Sequence, residues 1–275
     1  MPAQRDGLGE RIGIGRTAEV FAWRRGQIIK LLRPGFPDQL GEAEAAIAAL
    51  VSASGLAAPR FVGTRRADGR LGLVFARVDG PSMLDRLTAR PWLVDSNARR
   101  FAALHAQMHA APATGLPDYT ASLRRAIEHA AGVLGATRRD AALRRTERLA
   151  AGTTVCHGDM HPGNVILAGS GPIVIDWVTA GAGPPEADLA RTLFLLTGGT
   201  IPDAFPRFQR ALITVLRRRF AQVYLRTYRR LHGVDERQLQ LWRLPVLAAR
   251  LGENVEGERD GLLARIDAEL AGPGA

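Results

Sequence analysis

His157, Asp159, Asn164 and Asp176 fall at spacings that suit phosphoryl transfer. The segment Cys156-His157-Gly158-Asp159-Met160-His161-Pro162-Gly163-Asn164 sets an Asp two residues after a His, and an Asn five residues after that Asp. Val174-Ile175-Asp176-Trp177 then ends a short apolar run on a second Asp. Two carboxylates and one amide, held on turns between short strands, are what transfer from Mg-ATP requires. Asp159 is expected to orient and deprotonate a hydroxyl. Asn164 offers Mg2+ a neutral oxygen and Asp176 a charged one. A carboxylate base suits a largely dissociative transition state, which needs little proton removal early. His157 is expected to orient the loop. An ordinary turn uses the same Gly, Pro and Asn residues, but it does not account for all three spacings at once.

Lysine usage points to the same chemistry. Of 37 basic residues, 36 are arginine and one is Lys30. Ala, Arg, Gly and Leu are abundant, the mark of a coding bias that replaces lysine by arginine wherever either serves. A position that stays lysine asks for a chemical reason, with chance survival as the bland alternative. Lys30 sits in the apolar run Gln27-Ile28-Ile29-Lys30-Leu31-Leu32. An ammonium there can reach nucleotide phosphates if a carboxylate holds it. Glu44 is the expected partner and Glu42 the alternative; the bland reading is a surface ion pair worth about 1 kcal/mol or less. Just upstream, Gly13-Ile14-Gly15-Arg16-Thr17-Ala18 can fold backbone amides over phosphates, with Thr17 adding a hydroxyl. A Gly-x-Gly by itself also serves any tight hairpin.

The elements that must position these residues follow from residue pattern. Ile12–Ile14, Val20–Trp23 and Gln27–Leu32 read as short strands broken by glycines. Pro37-Asp38 opens a helix to about Ser54, stopped by Gly55. Arg60–Arg65 and Leu71–Val78 resume strand character around an Ala67-Asp68-Gly69 hairpin turn. After Asp79-Gly80-Pro81 helices dominate: Asn97–Ala110, with apolar residues at helical period, then Thr120–Leu134 and Arg138–Ala150 as a pair. Short strands are expected at Thr153–Cys156, Val165–Ala168 and Pro172–Ile175. From Glu186 onward the pattern is helical, fraying at Gly272-Pro273-Gly274. The expected class is α+β and bilobal, with a small antiparallel-sheet lobe over residues 1–78 and a mainly helical lobe over 79–275. Ligands commonly bind in clefts between such lobes.

Composition narrows the classes. At 275 residues the chain can bury a full core. No apolar run approaches the ~18–20 residues of a membrane span. The opening Met-Pro-Ala-Gln-Arg-Asp lacks the basic-then-apolar plan of a signal peptide. The single Cys156 excludes an internal disulfide framework, so a cytoplasmic setting is expected. A net charge of +10 invites a nucleic-acid reading. However, the excess is dispersed: residues 1–80 hold 12 basic and 8 acidic groups, the remainder 25 and 19. No aromatic-rich strand lies among the arginines to stack bases, so no specific nucleic-acid partner is expected.

The chain resembles the aminoglycoside phosphotransferase/choline kinase-like family of the protein-kinase-like fold. The likeness runs from about Ile12 to Leu196. It is carried by His157 through Asn164, Ile175-Asp176, Glu44 with Gly55-Leu56-Ala57-Ala58-Pro59, Val78-Asp79-Gly80, and Ala187-Asp188-Leu189-Ala190. The resemblance implies ATP and Mg2+ as cofactors, with adenine against the backbone near Ala76 and Val78 and Phe75 behind it. It also implies that Asp188 braces the large lobe and that the acceptor is a small-molecule hydroxyl. A catalytically silent ATP-binding scaffold and a protein kinase are the alternatives. Only nine residues separate Asp176 from Glu186, with Thr179 the sole hydroxyl among them, which is short for a peptide-docking activation segment.

Five features remain. His105 and His109 have the spacing of a two-His metal site but lack the intervening Glu of a zinc hydrolase, so a structural pair is expected. His161 is a secondary site candidate. Cys156 reads as an inert buried thiol and Trp177 as packing beneath the loop. The acidic run Glu253, Glu256, Glu258 and Asp260 reads either as a solvated turn or as a binding surface for a polycationic acceptor.

Overall fold

A computed structural model describes residues 7–199 and 206–272. The start of the chain through Asp6 and the expected frayed end at Pro273-Gly274 lie outside the described residues. Two compact units result: one comprises the chain to Met83 together with Gly163–Val178, the other Leu84–Pro162 with Thr179–Ala275.

The first unit is built on a five-stranded antiparallel sheet of β1 (Arg11–Ile14), β2 (Ala18–Ala22), β3 (Gln27–Leu32), β4 (Phe61–Ala67) and β5 (Arg70–Ala76), ordered β1-β2-β3-β5-β4. The Asp68-Gly69 turn joins β4 to β5 with both residues at positive φ, as a tight two-residue hairpin requires. Helix α1 (Asp38–Ala53) packs on β4 and β5. Strand periodicity divides the faces: Phe21, Ile29, Leu31, Ala67 and Val74 form one core cluster, which turns Ile28 and Lys30 to the opposite face.

Residues 163–178 belong to this unit although they come late in the chain. Their hairpin, numbered below after the strands that precede it, is tied down by Leu167 donating to the Pro81 carbonyl at 2.9 Å and Val174 donating to that of Ala57 at 2.7 Å.

The second unit is mainly helical. In order it holds α2 (Met83–Ala89, whose first residue belongs to the other unit), a 3-10 turn at Pro91–Leu93, α3 (Val94–His109), α4 (Tyr119–His129), α5 (Ala131–Leu134) and α6 (Ala136–Glu147). Strand β6 (Thr154–Cys156) leads into the motif segment, β7 (Val165–Ala168) and β8 (Gly171–Val174) form the hairpin just described, and β9 (Gly181–Gly183) returns to pair with β6. Helices α7 (Pro185–Gly198), α8 (Arg207–Leu231), α9 (Glu236–Leu251) and α10 (Arg259–Ala271) complete it. Helices α3 and α8 run side by side in the same direction. Asp95 takes a two-pronged ion pair from Arg219, and Phe101 lies edge-on to Phe220 and Tyr224 at 5.5 and 5.2 Å.

The expected strands and the helix at Asp38 are found within a residue or two. The single helix expected over Thr120–Leu134 breaks at Ala130, which is buried, and α2 and β9 were not anticipated. No helix among the described residues is long and apolar enough to cross a membrane.

Candidate active site

Lys30 is the hub of the first unit's site. Its Nζ donates to Glu44 Oε1 at 2.6 Å and to Asp176 Oδ1 at 2.7 Å. Of the two candidate acids on α1, Glu44 lies on the buried face with Gly41, Ile47, Ala48 and Val51, whereas Glu42 is exposed. Burial works against the Lys30 ammonium, but Asp176 and Glu44 outweigh it and hold its pKa above the ordinary lysine value. Asp176 sits at φ 63, a left-handed conformation that Asp tolerates better than most residues. Asn164 is buried at the end of a 3-10 turn, and its carbonyl accepts from Ile175 N at 2.9 Å, which fixes the start of β7 against the end of β8.

These groups line a cavity of about 550 Å³ in the same unit. Gly13, Gly15, Ala18 and Val20 form one wall, Ile28 and Phe75 another, and Ala76, Val78, Asn164 and Asp176 also contribute. Thr17 is not among the lining residues; its carbonyl accepts from Arg33 N at 2.9 Å. The Ala76 N–H is committed to the Arg60 carbonyl at 2.8 Å. Trp177 is buried and donates its indole N–H to Val174 O at 2.8 Å.

The second unit carries Asp159. Its loop is held from below by Asp188, which is fully buried on the first turn of α7. Asp188 Oδ2 accepts the His157 amide at 2.6 Å, and Oδ1 accepts that of Gly158 at 2.9 Å. Oδ2 also meets His105 Nε2 at 3.1 Å and His109 Nε2 at 3.2 Å. An ionised carboxylate can only accept, so both imidazoles carry the proton on Nε2. Each Nδ1 then accepts a tyrosine hydroxyl at 2.6 Å, Tyr224 for His105 and Tyr228 for His109. The i, i+4 pair on α3 is therefore matched by an i, i+4 pair on α8.

Burial would push the Asp188 carboxyl up, but its histidine donors outweigh this and hold it well below the usual range. Burial, with His105 beside it, holds His109 down to about 4. The three ligand-type atoms of His105, His109 and Asp188 lie close enough together to hold a metal ion. Their hydrogen bonds already satisfy them, which fits the expected structural pair.

Within the loop, His157 is buried and its Nδ1 accepts the Asp159 amide at 3.2 Å, so the ring orients the backbone under the carboxylate. Gly158 has φ 77, and a Cβ there would lie 2.8 Å from the Thr179 carbonyl. The Thr179 hydroxyl donates to the His157 carbonyl at 2.8 Å, so the one hydroxyl between Asp176 and Glu186 serves the loop itself. His161 Nε2 lies 3.7 Å from Asp159 Oδ2. Cys156 is buried, and burial raises its thiol pKa well above the ordinary value.

One residue absent from the sequence reading adjoins Asp159. Arg191, on α7, donates Nε to the Gly158 carbonyl at 3.2 Å and lies 3.5 Å from Asp159 Oδ1 through Nη2. The same Nη2 lies 2.5 Å from Glu253 Oε1. Glu253 also pairs with Arg250, which holds the buried Glu258 with two bonds at 2.7 and 3.1 Å. Glu253 and Glu258 are thus neither a solvated turn nor open cation-binding carboxylates, because arginines hold both. The signal available in the sequence was the i, i+3 spacing of Asp188 and Arg191, which puts both on one helix face.

A family model described as the phosphotransferase enzyme family (APH) matches residues 10–234. Among solved structures, a choline/ethanolamine kinase family protein from Mesorhizobium loti is 17% identical and covers 100% of this chain and 92% of its own, with a TM-score of 0.60. A thermostable mutant of aminoglycoside phosphotransferase APH(4)-Ia, in a ternary complex with ADP and hygromycin B, is 16% identical over 96% of this chain and 94% of its own, at 0.64. Amicoumacin kinase hAmiN, in complex with AMP-PNP, Ca2+ and Ami, is 15% identical over 98% and 88%, also at 0.64. No curated protein matches the sequence significantly. At these identities the solved structures speak for the fold, and they bear out the expected bilobal α+β class. The family match spans most of the chain, and on it the resemblance drawn from the motifs holds: this protein is a member of the phosphotransferase enzyme family.

Proposed function

We propose that the chain is an ATP-dependent phosphotransferase that moves the γ-phosphate to a hydroxyl of a small molecule. The observation that carries this is Lys30 held between Glu44 and Asp176 on the wall of a 550 Å³ cavity. The cavity's apolar walls, Ile28 and Phe75 among them, suit a flat heterocycle. With the Ala76 N–H committed to Arg60, the backbone would read adenine through the Ala76 carbonyl and the Val78 N–H.

The donor set fits a hard divalent cation. Asp176 and Asn164 offer oxygens only, and the Asp176 carboxylate already attracts the Lys30 ammonium. Asp176 and Asn164 would hold Mg2+, which supplies neutralisation of phosphate charge. Lys30 would bind phosphate oxygens, with Glu44 fixing its direction. Gly13 and Gly15 would let the β1–β2 turn close over the phosphates. Asp159 would accept a hydrogen bond from the acceptor hydroxyl, align it for in-line attack and take its proton as the bond to phosphorus forms. Thr17 would contribute only through the loop's backbone.

The short connection after Asp176 and the structural use of Thr179 favour a small acceptor over a peptide. The ligands bound in two of the similar structures, hygromycin B and Ami, are small molecules. A cytoplasmic setting suits the single buried thiol. The test is ATP consumption across a panel of aminoglycosides, amino alcohols and sugars, with Asp159→Asn as control. General-base removal should cost about 100-fold or more. Transfer that survives in Asp159→Asn within about tenfold sinks the base assignment, and absence of any Mg-ATP stabilisation of the wild type sinks the nucleotide reading.

A further inference from the structure

Arg191 is buried beside the proposed base, and the function proposed above does not use it. Its guanidinium is pinned at two places, the Gly158 carbonyl through Nε and Glu253 through Nη2. The same Nη2 lies at ion-pair distance, 3.5 Å, from Asp159 Oδ1. Glu253 is in turn anchored by Arg250, whose own guanidinium is locked onto the buried Glu258. The alternating chain Asp159, Arg191, Glu253, Arg250, Glu258 therefore connects the loop to the turn between α9 and α10.

We propose that Arg191 is a positioning residue for Asp159, and that Glu253 sets how strongly Arg191 holds it. The inference rests on Asp159 being the base. Arg191 contacts one carboxylate oxygen, which steers the other toward the acceptor hydroxyl. The pull of Glu253 keeps the guanidinium from closing fully onto Asp159 and masking it. Brace and steer come from one helix face: Asp188 fixes the loop's backbone, and Arg191, one turn on, fixes the side chain that the backbone carries. A step in which little proton transfer occurs early depends more on where the carboxylate points than on its basicity, and a misplacement of about 1 Å can cost about 100-fold.

The test follows phosphate transfer from Mg-ATP to the best acceptor of the panel. Arg191→Gln should lower kcat by roughly 10- to 100-fold, with KM for ATP within about twofold and Mg-ATP stabilisation retained. Arg191→Lys should recover only part of the rate, because an ammonium cannot make the three contacts of a planar fork. In Arg191→Ala, millimolar guanidinium should restore activity several-fold and urea should not; a merely structural role would not produce that difference. Glu253→Gln, at a partly exposed position, should fold normally and lower kcat about three- to tenfold by letting Arg191 close onto Asp159. If Arg191→Gln does not fold, Glu253→Gln decides the question. Unchanged kcat in Glu253→Gln, or in a folded Arg191→Gln, overturns the inference while leaving the phosphotransferase reading intact. A wild-type protein that transfers phosphate to no acceptor overturns both.

Discussion

The Lys30 ammonium lies 2.7 Å from the Asp176 carboxylate and 2.6 Å from that of Glu44, so it is tied to a carboxylate 146 positions further along the chain. Glu44 is buried, and Lys30 is its ion-pair partner. Removing Lys30 therefore does two things: it takes away the phosphate contact, and it strands a carboxylate. Lys30→Met is expected to lose Mg-ATP stabilisation and to cost about 3 kcal/mol in urea unfolding. The double variant Lys30→Met/Glu44→Gln should be more stable than Lys30→Met alone, because no charge is left without a partner. Equal stability of the two would show that Glu44 does not need its lysine.

Asp188→Asn tests the brace under the loop. An amide of the same shape keeps one acceptor but turns an NH2 toward backbone and imidazole donors. Loss of about 3 kcal/mol or more in unfolding free energy is expected, with activity falling in step. A folded, fully active Asp188→Asn protein would contradict the role assigned to its charge.

Stability should fall with acid in a defined window. His109 is held down to about 4 in the folded protein against an ordinary 6.5. Between those values the unfolded chain binds a proton that the folded one does not, so stability rises with pH. The contribution is full above pH 6.5 and is lost as pH falls toward 4, amounting to roughly 3 kcal/mol at most. Asp188, also depressed, adds a loss of the same sign at lower pH. Melting temperature measured from pH 7 to 4 should drop steeply in the wild type, and His109→Gln should flatten that slope.

Gly158→Ala should be far more damaging than a methyl group implies. Its φ of 77 strains any L side chain, and the added Cβ would meet the Thr179 carbonyl at 2.8 Å. The expected cost is about 2 kcal/mol or more, with kcat reduced because the loop must shift at the residue preceding Asp159. Near-wild-type kcat would mean that the loop tolerates another path.

Local signals made much of this legible from residues alone. Pro37-Asp38 marks a helix start, Asp68-Gly69 a hairpin, and the 159, 164 and 176 spacing a site. Glu44 is preferred over Glu42 by its position relative to Gly55 in the pattern of the resembled family, and burial agrees. What was hidden depends on distant partners. The break falls on Ala130 itself, a buried residue at φ −79 and ψ 0 that lies two positions before Gly132, and the chain turns only later at Gly135. Strand β9, Gly-Ala-Gly, has no side-chain alternation to show, and its glycines allow close approach to Tyr119 and Cys156. The Arg191–Glu253 contact joins residues 62 positions apart and leaves no local trace.

Lys30 is the chain's one lysine, and it lies inside a strand paired on both sides. A lysine-specific protease therefore has a single bond to cut, and it can reach that bond only when β3 leaves the sheet. Each cleavage event would count one opening of the first unit. The molecule carries its own one-site recorder of how often that unit comes apart.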